Sequence, residues 1–267
     1  MRELHDLNVG IAVEAAELAR TRRRAGVAIA ASKSSLVDIV TEADREVERL
    51  VVERIRAARP DDGILGEEGT SIVGTSGLTW VIDPIDGTVN YLYDIPAYAV
   101  SLAVVEGEPD PATWRPLSAS VINAATGERF EATRGGGATL DGRPIRVADA
   151  VPAATALVGT GFGYDAGRRQ RQAAIVQQLI GSVRDIRRIG AAALDLAGVA
   201  AGRLNAYFEV GLQPWDFAAG ALIVEESGGA IRGWGDAPAG SGFLLAAHPA
   251  VADELLELLA PMPVDEV

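Results

Sequence analysis

Apolar side chains recur every three to four residues along the first part of the chain. Residues 3–24 show this spacing, and it returns from Thr41 to about Ala58, which predicts two amphipathic helices. Thr41 suits the N-cap of the second helix, and Asp44 stands three residues later, as in a capping box. Asp44 can therefore be explained by a structural role alone, as an acid in the first turn that the helix dipole favours.

Beyond this helix, short apolar runs bounded by turn residues predict strands. The predicted strands are residues 64–66, 80–82, 99–106, 117–124, 129–133, 156–160, 185–188, 204–210 and 243–246. The further predicted helices are residues 166–180, 191–201, 213–226 and 250–259. Residues 69–78 are rich in Gly, Ser and Thr and predict a loop, whereas the glycine run at 135–137 predicts a hairpin connection because no helical pattern follows it.

Predicted strands cluster in the first half of the chain and alternate with helices in the second half. This order predicts an α+β fold in which sheets are layered with helices between and outside them. At 267 residues, the chain is long enough for one large domain or two smaller ones. The segment Val147–Pro152 predicts a boundary, so we expect one domain over residues 1–149 and another over residues 150–267.

Composition and charge narrow the range of functions. The formal net charge of −13 disfavours nucleic acid and anionic membranes as partners, although a bound metal would still allow an anionic substrate. Cysteine is absent, which excludes disulfides, thiolate metal sites and cysteine nucleophiles. With His5 and His248 as the only histidines and Lys33 as the only lysine, we expect neither a Ser-His-Asp triad nor a Walker-type loop. No apolar run has the length of a membrane span and the N-terminus lacks a signal-like core, so we expect a cytoplasmic protein.

The stretch Thr79–Thr88 holds the strongest candidate chemistry. A predicted buried strand runs into Asp83, and Asp86 follows within a segment stiffened by the intervening proline. Two carboxylates held so close repel each other unless a cation lies between them, and a hard divalent ion suits that place. A chain entering a helix at Gly87 and Thr88 would direct backbone N–H groups at an anion. Asp-Pro-x-Asp-Gly is also ordinary turn chemistry, and taken alone the segment does not separate the two interpretations.

Two further carboxylates stand where a predicted element begins or ends. Glu67 follows an apolar run, and Asp216 opens a predicted helix after Pro214 and Trp215. Taken alone, Asp216 is better explained as an N-cap than as a ligand. The combination of these acids, rather than any one of them, indicates a functional site.

The combination resembles the inositol monophosphatase family, within the wider group of magnesium-dependent, lithium-sensitive sugar phosphatases. Residues 80–90, Trp-Val-Ile-Asp-Pro-Ile-Asp-Gly-Thr-Val-Asn, are similar to the first signature of the family. Residues 215–221, Trp-Asp-Phe-Ala-Ala-Gly-Ala, are similar to its second signature. Matching segments also occur at residues 33–44 (which include Lys33, Asp38 and Asp44), 66–68, 159–162 and 188–190. The resemblance covers essentially the whole chain, and two long signatures in order are far more specific than a short motif. It implies the layered αβαβα sandwich of the sugar phosphatases.

The resemblance also implies a set of metal ligands. Glu67, Asp83 and the backbone carbonyl of Ile85 would hold a first Mg²⁺. Asp83, Asp86 and Asp216 would hold a second. Hard oxygen donors, with no His or Cys among them, favour Mg²⁺ over Zn²⁺.

Catalytic roles follow from the same resemblance. Thr88 and Glu67 would orient a metal-activated water for in-line attack on phosphorus, and the metal at Asp216 would stabilise the leaving alkoxide. Backbone N–H groups of Gly87 and Thr88 would bind phosphate oxygens. A third, weaker ion is implied near Glu67, with Asp44 acting on it through water.

The resemblance places the substrate pocket largely in the second half of the chain. The implied substrate contacts are Asp86, Gly87, Thr88, Gly190, Ala191, Ala192, Glu209 and Asp216. In the family, an acid matching Glu209 hydrogen-bonds sugar hydroxyls, although without the motif an edge-strand charge is the better explanation. The intact segment Tyr207–Gly211 favours a polyol monophosphate, so we expect myo-inositol monophosphate, with histidinol phosphate or fructose 1,6-bisphosphate as alternatives.

Departures from the family leave the substrate open. Ala191 stands where many relatives have Ser or Thr, and Asn205 where many have Asp. Arg187 and Arg188 are candidates for contact with a second phosphate or a partner subunit, and a surface salt bridge explains them equally well.

Two other classes of function compete with this interpretation. Aspartyl-phosphate phosphatases carry Asp-x-Asp-Gly-Thr at a strand end and form a covalent phospho-aspartate, but the step from Asp83 to Asp86 is one residue longer. A regulatory binding role is the other alternative, because some relatives associate with transcription or RNA machinery. The net charge argues against direct contact with nucleic acid, and by resemblance we expect a homodimer.

Overall fold

The computed structural model describes residues 1–27, 29–32, 39–262 and 264, and for residues 29–32 and 39–40 it describes the backbone alone. Lys33 and Asp38, which belong to a segment that resembles the family, lie outside the described residues. The helices are α1 (Arg2–Ala25), α2 (Glu42–Ala58), α3 (Thr88–Tyr93), α4 (Ala166–Leu179), α5 (Ala192–Ala200), α6 (Pro214–Glu226) and α7 (Pro249–Leu259). The strands are β1 (Ile29–Ser32), β2 (Ile39–Thr41), β3 (Gly63–Gly66), β4 (Ser71–Ile72), β5 (Leu78–Asp86), β6 (Ala99–Glu106), β7 (Arg115–Asn123), β8 (Arg129–Thr133), β9 (Gly137–Leu140), β10 (Arg143–Pro144), β11 (Leu157–Thr160), β12 (Asp185–Arg187), β13 (Ala206–Glu209), β14 (Ala230–Arg232) and β15 (Leu244–Ala247).

Two large sheets carry the fold. The first has eight strands in the order β10-β9-β8-β7-β6-β5-β3-β4, and it is antiparallel except where β3 runs parallel to β5. The second has five strands in the order β12-β11-β13-β15-β14, with β11 parallel to both of its neighbours. The chain passes from the first sheet to the second across Val147–Pro152. The division into two domains at residues 149 and 150 stays a prediction.

Helices cover both faces of each sheet, which confirms the expected αβαβα sandwich. Helices α1 and α2 cover the outer face of the eight-stranded sheet, where Trp80 and Ile82 share a buried core with Val51. Helices α5 and α6 lie between the sheets, and Val81 belongs to that core with Leu196. Helices α4 and α7 cover the outer face of the five-stranded sheet. Alternate residues of β5 therefore enter different cores, which explains why this strand is a nearly continuous apolar run.

Most predicted elements are present with small shifts at their ends. The loop predicted at residues 69–78 contains the short strand β4, which forms the edge of the eight-stranded sheet. The apolar pattern of the sequence also did not predict strands β9, β10 and β14, because they are short and lack an extended alternation of apolar residues. The glycine run at 135–137 joins β8 to β9, as the predicted hairpin connection requires.

A β-bulge interrupts the pairing of β5 with β6. Asp83 pairs with Ser101 and Asp86 pairs with Ala99, so β5 carries one residue more than β6 across this interval. In a regular strand, residues an odd number of positions apart point to opposite faces. The extra residue brings Asp83 and Asp86 to the same face, towards α5 and α6. Pro84 is tolerated here because a residue in a bulge need not donate to the ladder.

Candidate active site

A cavity of about 380 Å³ opens where the end of β5 meets the starts of α5 and α6. Every residue that the sequence placed in the site lies in its wall, with the exception of Asp44. These residues are Glu67, Asp83, Ile85, Asp86, Gly87, Thr88, Gly190, Ala191, Ala192, Glu209 and Asp216. The fold thus brings segments from both halves of the chain to one place.

Glu67 and Asp83 lie at the ends of two adjacent parallel strands, β3 and β5. The backbone N–H of Glu67 donates to the carbonyl of Ile82 at 3.2 Å, which fixes the turn after β3 beside Asp83. Asp83 is 2% exposed, and its Oδ1 has no hydrogen-bond partner among the residues that the structure describes. Burial, together with the negative charges of Glu67 and the neighbouring aspartates, raises the pKa of Asp83 well above its usual range.

Asp86 receives two backbone hydrogen bonds from the start of α5. The N–H groups of Ala192 and Ala193 donate to its carboxylate at 3.2 and 2.7 Å. Burial raises the pKa of Asp86 to about 7, although these hydrogen bonds oppose the shift. The N–H of Ala192, within the segment predicted to contact substrate, is therefore engaged by Asp86.

Asp216 is the third residue of α6, and its carboxylate accepts a hydrogen bond from the N–H of Gln213 at 2.7 Å. Gln213 is the N-cap, so the interpretation of Asp216 as the N-cap is wrong in position, although its carboxylate does cap the helix start. Burial raises the pKa of Asp216 well above its usual range, and the negative charge of Glu67 is the second largest cause of the shift. One carboxylate thus both caps α6 and lines the cavity.

Asp44 occupies the equivalent position in α2. It accepts hydrogen bonds from the N–H of Thr41 at 2.8 Å and from the Thr41 hydroxyl, which confirms the predicted capping box. Asp44 is 1% exposed and lies behind Thr88, whose Oγ1 is 3.4 Å from Asp44 Oδ1 and 3.2 Å from the Ile85 carbonyl oxygen. Burial raises the pKa of Asp44 to about 7. Its contact with the site therefore runs through Thr88, and its catalytic role stays a prediction.

Gly87 turns the chain from β5 into α3. Its φ is +88°, a conformation that an L side chain rarely adopts, and a Cβ there would lie 2.8 Å from the carbonyl oxygen of Ala97. The same Cβ would lie 3.1 Å from the Cβ of Ala191 across the cavity wall. Glycine is therefore required here for two independent reasons, backbone conformation and space.

Glu209 ends β13, which lies between β11 and β15 in the five-stranded sheet. The interpretation as an edge-strand charge is therefore wrong. Its carboxylate accepts a hydrogen bond from the Tyr207 hydroxyl, and burial raises the pKa of Glu209 to about 7. A Cβ at Gly161 would overlap the Glu209 carboxylate, so glycine at 161 makes room for it.

Sequence reasoning missed one buried acid in the cavity wall. Asp195 lies on α5 and is 1% exposed, and its Oδ1 has no hydrogen-bond partner among the described residues. Burial, with the charges of Glu209 and Asp86, raises the pKa of Asp195. The available signal was an acid within an otherwise apolar helix, since such acids are seldom fully buried without a reason.

The structure separates the two neighbouring arginines. Arg187 forms an exposed ion pair with Asp185 at 2.6 Å, as the salt-bridge interpretation expects, whereas Arg188 lines the cavity with Arg168. Asn205 lies away from the cavity and accepts a hydrogen bond from the N–H of Leu157 at 2.8 Å. Its departure from the family pattern therefore concerns strand β11 rather than the cavity wall.

The cavity presents oxygen donors that suit a hard divalent cation. They comprise the carboxylates of Glu67, Asp83, Asp86 and Asp216 and the backbone of Ile85. The unpartnered Oδ1 of Asp83 and the repulsion among the acids would both be relieved by a cation. Among the residues that the structure describes, no group of three or more acids is already arranged around a single metal position.

The chain is similar to known proteins over nearly its whole length. A family model described as "Inositol monophosphatase family" matches residues 1–262. A Mycobacterium tuberculosis protein named inositol-1-monophosphatase SuhB is 43% identical over 275 aligned positions, which cover 96% of this chain and 93% of that protein. A Xylella fastidiosa protein named Nus factor SuhB is 44% identical over 201 positions, covering 74% of this chain and 70% of that protein. The solved structure of an IMPase from Thermotoga maritima is 30% identical with a TM-score of 0.86, covering 100% of this chain and 99% of that one.

None of the helices within the described ranges combines the length and the apolar character of a membrane span.

Proposed function

We propose that this chain, which belongs to the inositol monophosphatase family and is a phosphatase of that family, hydrolyses myo-inositol monophosphate with the help of Mg²⁺. The observation that carries the proposal is the cavity itself. The carboxylates of Glu67 after β3, of Asp83 and Asp86 on β5, and of Asp216 at the start of α6 meet there, beside the glycine turn that begins α3. The products are inositol and inorganic phosphate.

Metal binding rests on the oxygen donors of the cavity. The family is generally metal-dependent. Under the proposal, Glu67, Asp83 and the Ile85 carbonyl hold one Mg²⁺, while Asp83, Asp86 and Asp216 hold a second. When bound, Mg²⁺ supplies a water of lowered pKa and neutralises charge on the phosphoryl group.

The residues of the chain position the reacting groups. The Thr88 hydroxyl, which lies within reach of Asp44 and the Ile85 carbonyl, orients the attacking water together with Glu67. The backbone N–H groups of Gly87 and Thr88 bind phosphate oxygens. In phosphoryl transfer such positioning and charge neutralisation supply nearly all of the catalysis.

Substrate choice rests on the part of the cavity wall that comes from the second half of the chain. Glu209 presents a partly buried carboxylate that can accept hydrogen bonds from sugar hydroxyls, and Gly190–Ala192 line the same cavity beside Asp86. A cavity of about 380 Å³ is of the size that encloses a small polyol phosphate. Buried polar groups of this kind discriminate strongly against substrates that cannot pair with them.

Steady-state phosphate release from a panel of substrates tests the proposal. The panel contains inositol 1-phosphate, fructose 1,6-bisphosphate, histidinol phosphate and adenosine 3′,5′-bisphosphate, each with Mg²⁺, without it, and with added Li⁺. We expect Mg²⁺-dependent, Li⁺-inhibited turnover that is fastest with inositol 1-phosphate. If another substrate of the panel were hydrolysed fastest, the proposed metal site would stand and the proposed substrate would be wrong. If no substrate were hydrolysed in a Mg²⁺-dependent manner, both the metal site and the substrate would be wrong.

A second candidate function comes from the relatives named Nus factor SuhB. Under this alternative the chain acts as a Nus factor, alone or in addition to hydrolysis. The formal net charge of −13 disfavours direct contact with RNA. Under this alternative, the chain would therefore bind a protein partner. A Glu67→Gln variant that lost phosphatase activity while retaining a transcriptional effect in cells would support it.

We further propose a homodimer, on the family resemblance. A sedimentation mass equal to that of the single chain, 27.8 kDa, at micromolar concentration would contradict it.

A further inference from the structure

Glu48 is a buried acid that the proposed mechanism does not use. It lies on α2, is 4% exposed, and directs its carboxylate at the turn that follows β3. Oε2 accepts a hydrogen bond from the N–H of Glu68 at 2.8 Å. Oε1 accepts from the N–H of Thr70 at 3.2 Å and from the Thr70 hydroxyl at 2.6 Å. Three donors from one turn thus converge on one carboxylate.

The turn that Glu48 holds is the one that carries Glu67. On one side, the N–H of Glu67 donates to Ile82 on β5, beside Asp83. On the other side, Glu48 binds the backbone immediately after Glu67. The position of the Glu67 Cα relative to Asp83 is therefore set from both the sheet and helix α2.

Gly66 allows this close approach. A Cβ at Gly66 would lie 2.5 Å from Oε2 of Glu48 and 2.6 Å from its Cδ. Any larger residue would displace the carboxylate from its three donors. The missing side chain at 66 and the buried acid at 48 therefore form one local arrangement.

We propose that Glu48 is a positioning residue for the metal site, which acts by holding the turn of residues 66–70 so that Glu67 faces Asp83. The inference rests on the proposed function, because it assumes that Glu67 and Asp83 share a cation. Groups that orient metal ligands without touching the metal typically change metal affinity by about 10- to 100-fold when they are removed.

Titration of the metal-free protein with Mg²⁺ alone, followed by calorimetry, tests the proposal without substrate or turnover. In Glu48→Gln, an amide replaces one accepting oxygen, and we expect the Mg²⁺ dissociation constant of the site that contains Glu67 to rise about tenfold or more. Glu53→Gln is the matched control, since Glu53 is an exposed acid on the same helix. An unchanged dissociation constant in a folded Glu48→Gln variant would overturn the proposal, even if its thermal stability fell.

A second pair of variants approaches the contact from the turn. Thr70→Val removes the hydroxyl donor at nearly constant size, whereas Thr70→Ser keeps it. We expect Thr70→Val to weaken Mg²⁺ binding several-fold and Thr70→Ser to leave it near wild type, so the proposal stays testable if Glu48→Gln does not fold. Equal Mg²⁺ binding by the two Thr70 variants would count against the proposal. If the wild-type protein bound no Mg²⁺, the proposed function would be refuted. If the wild type and the variants bound Mg²⁺ equally well, only the positioning role of Glu48 would be refuted.

Discussion

Asp83 illustrates how a residue can oppose the stability of the fold that holds it. Its carboxylate is buried, and one oxygen lacks a hydrogen-bond partner among the described residues. Burial and the charges of Glu67, Asp86 and Asp216 raise its pKa. Removing a charge from such a group relieves repulsion, whereas removing an ordinary paired carboxylate would not.

Asp83→Asn should therefore stabilise the metal-free protein and inactivate the enzyme. We expect its thermal unfolding midpoint in EDTA to rise by a few degrees, which corresponds to about 1 kcal/mol in a domain of this size. Mg²⁺-dependent phosphate release should fall by about a hundredfold or more, because both proposed metal positions use Asp83. Asp253→Asn, at an exposed position of α7, should change neither quantity. A lower midpoint for Asp83→Asn in EDTA would show that the carboxylate is stabilising after all.

At the scale of elements, Asp62 ties a loop to a strand and a helix. Its carboxylate accepts hydrogen bonds from the indole N–H of Trp80 at 2.9 Å, from the Ser76 hydroxyl at 2.6 Å and from Arg59 at 2.9 Å. Asp62 is 1% exposed. Burial alone would raise the pKa of Asp62, but the hydrogen bonds from Arg59, Ser76 and Trp80 outweigh it and lower the pKa.

Asp62→Asn should destabilise the protein by about 1–3 kcal/mol, because the amide cannot accept from all three donors. Urea unfolding at neutral pH measures this loss, with Asp61→Asn as the exposed neighbour that should have little effect. Since the folded pKa lies below the unfolded one, the contribution of Asp62 is present above about pH 4 and is lost as the pH falls. The difference between Asp62→Asn and wild type should therefore shrink in acid, and a difference that grew there would contradict this account.

The elements that the sequence predicted well are those whose pattern is local. The apolar spacing of residues 3–24, the cap at Thr41 and the run that becomes β6 all depend on neighbours in sequence, and the structure contains each of them. The bulge in β5 depends on pairing with β6, so no local pattern announced it. Glu209 was open to an edge-strand explanation because strand order is a property of the whole sheet.

The same limit applies to the candidate site. Apart from Asp44, the site residues named from the family resemblance line one cavity, but Asp195 and Glu48 were not among the residues named. An acid in an apolar helix was a local signal that Asp195 is unusual, but neither helix sequence shows which groups the acid faces. Their environment is set by contacts with other elements, which a single sequence does not display.

At the scale of the whole molecule, acids gather at one place in a chain whose formal net charge is −13. Burial raises the pKa of Asp44, Asp86 and Glu209 to about 7, and that of Asp83 is raised as well. An unfolded carboxyl group titrates near pH 4. Between about pH 4 and pH 7 the folded state therefore binds more protons than the unfolded state, so stability falls as the pH rises.

Metal-free protein should accordingly melt at a lower temperature at pH 8 than at pH 5, by about 5 °C or more. Saturating Mg²⁺ should remove most of this difference, because it favours the ionised carboxylates that high pH produces. Thermal unfolding in EDTA and in Mg²⁺ at the two pH values measures both effects. A metal-free protein that became more stable from pH 5 to pH 8 would contradict the account of the acidic cluster.

The bulge in β5 makes strand pairing, and not only residue identity, a condition for placing Asp83 and Asp86 together. A relative that kept both aspartates and the two residues between them, but paired this strand without a bulge, would direct one acid into the apolar layer of α1 and α2 instead of the cavity. A relative that lost one of the two intervening residues would need no bulge, because positions two apart share a face of a regular strand. An inventory of matching residues would not distinguish these chains, whereas counting the residues between the acids together with the paired residues on the neighbouring strand would.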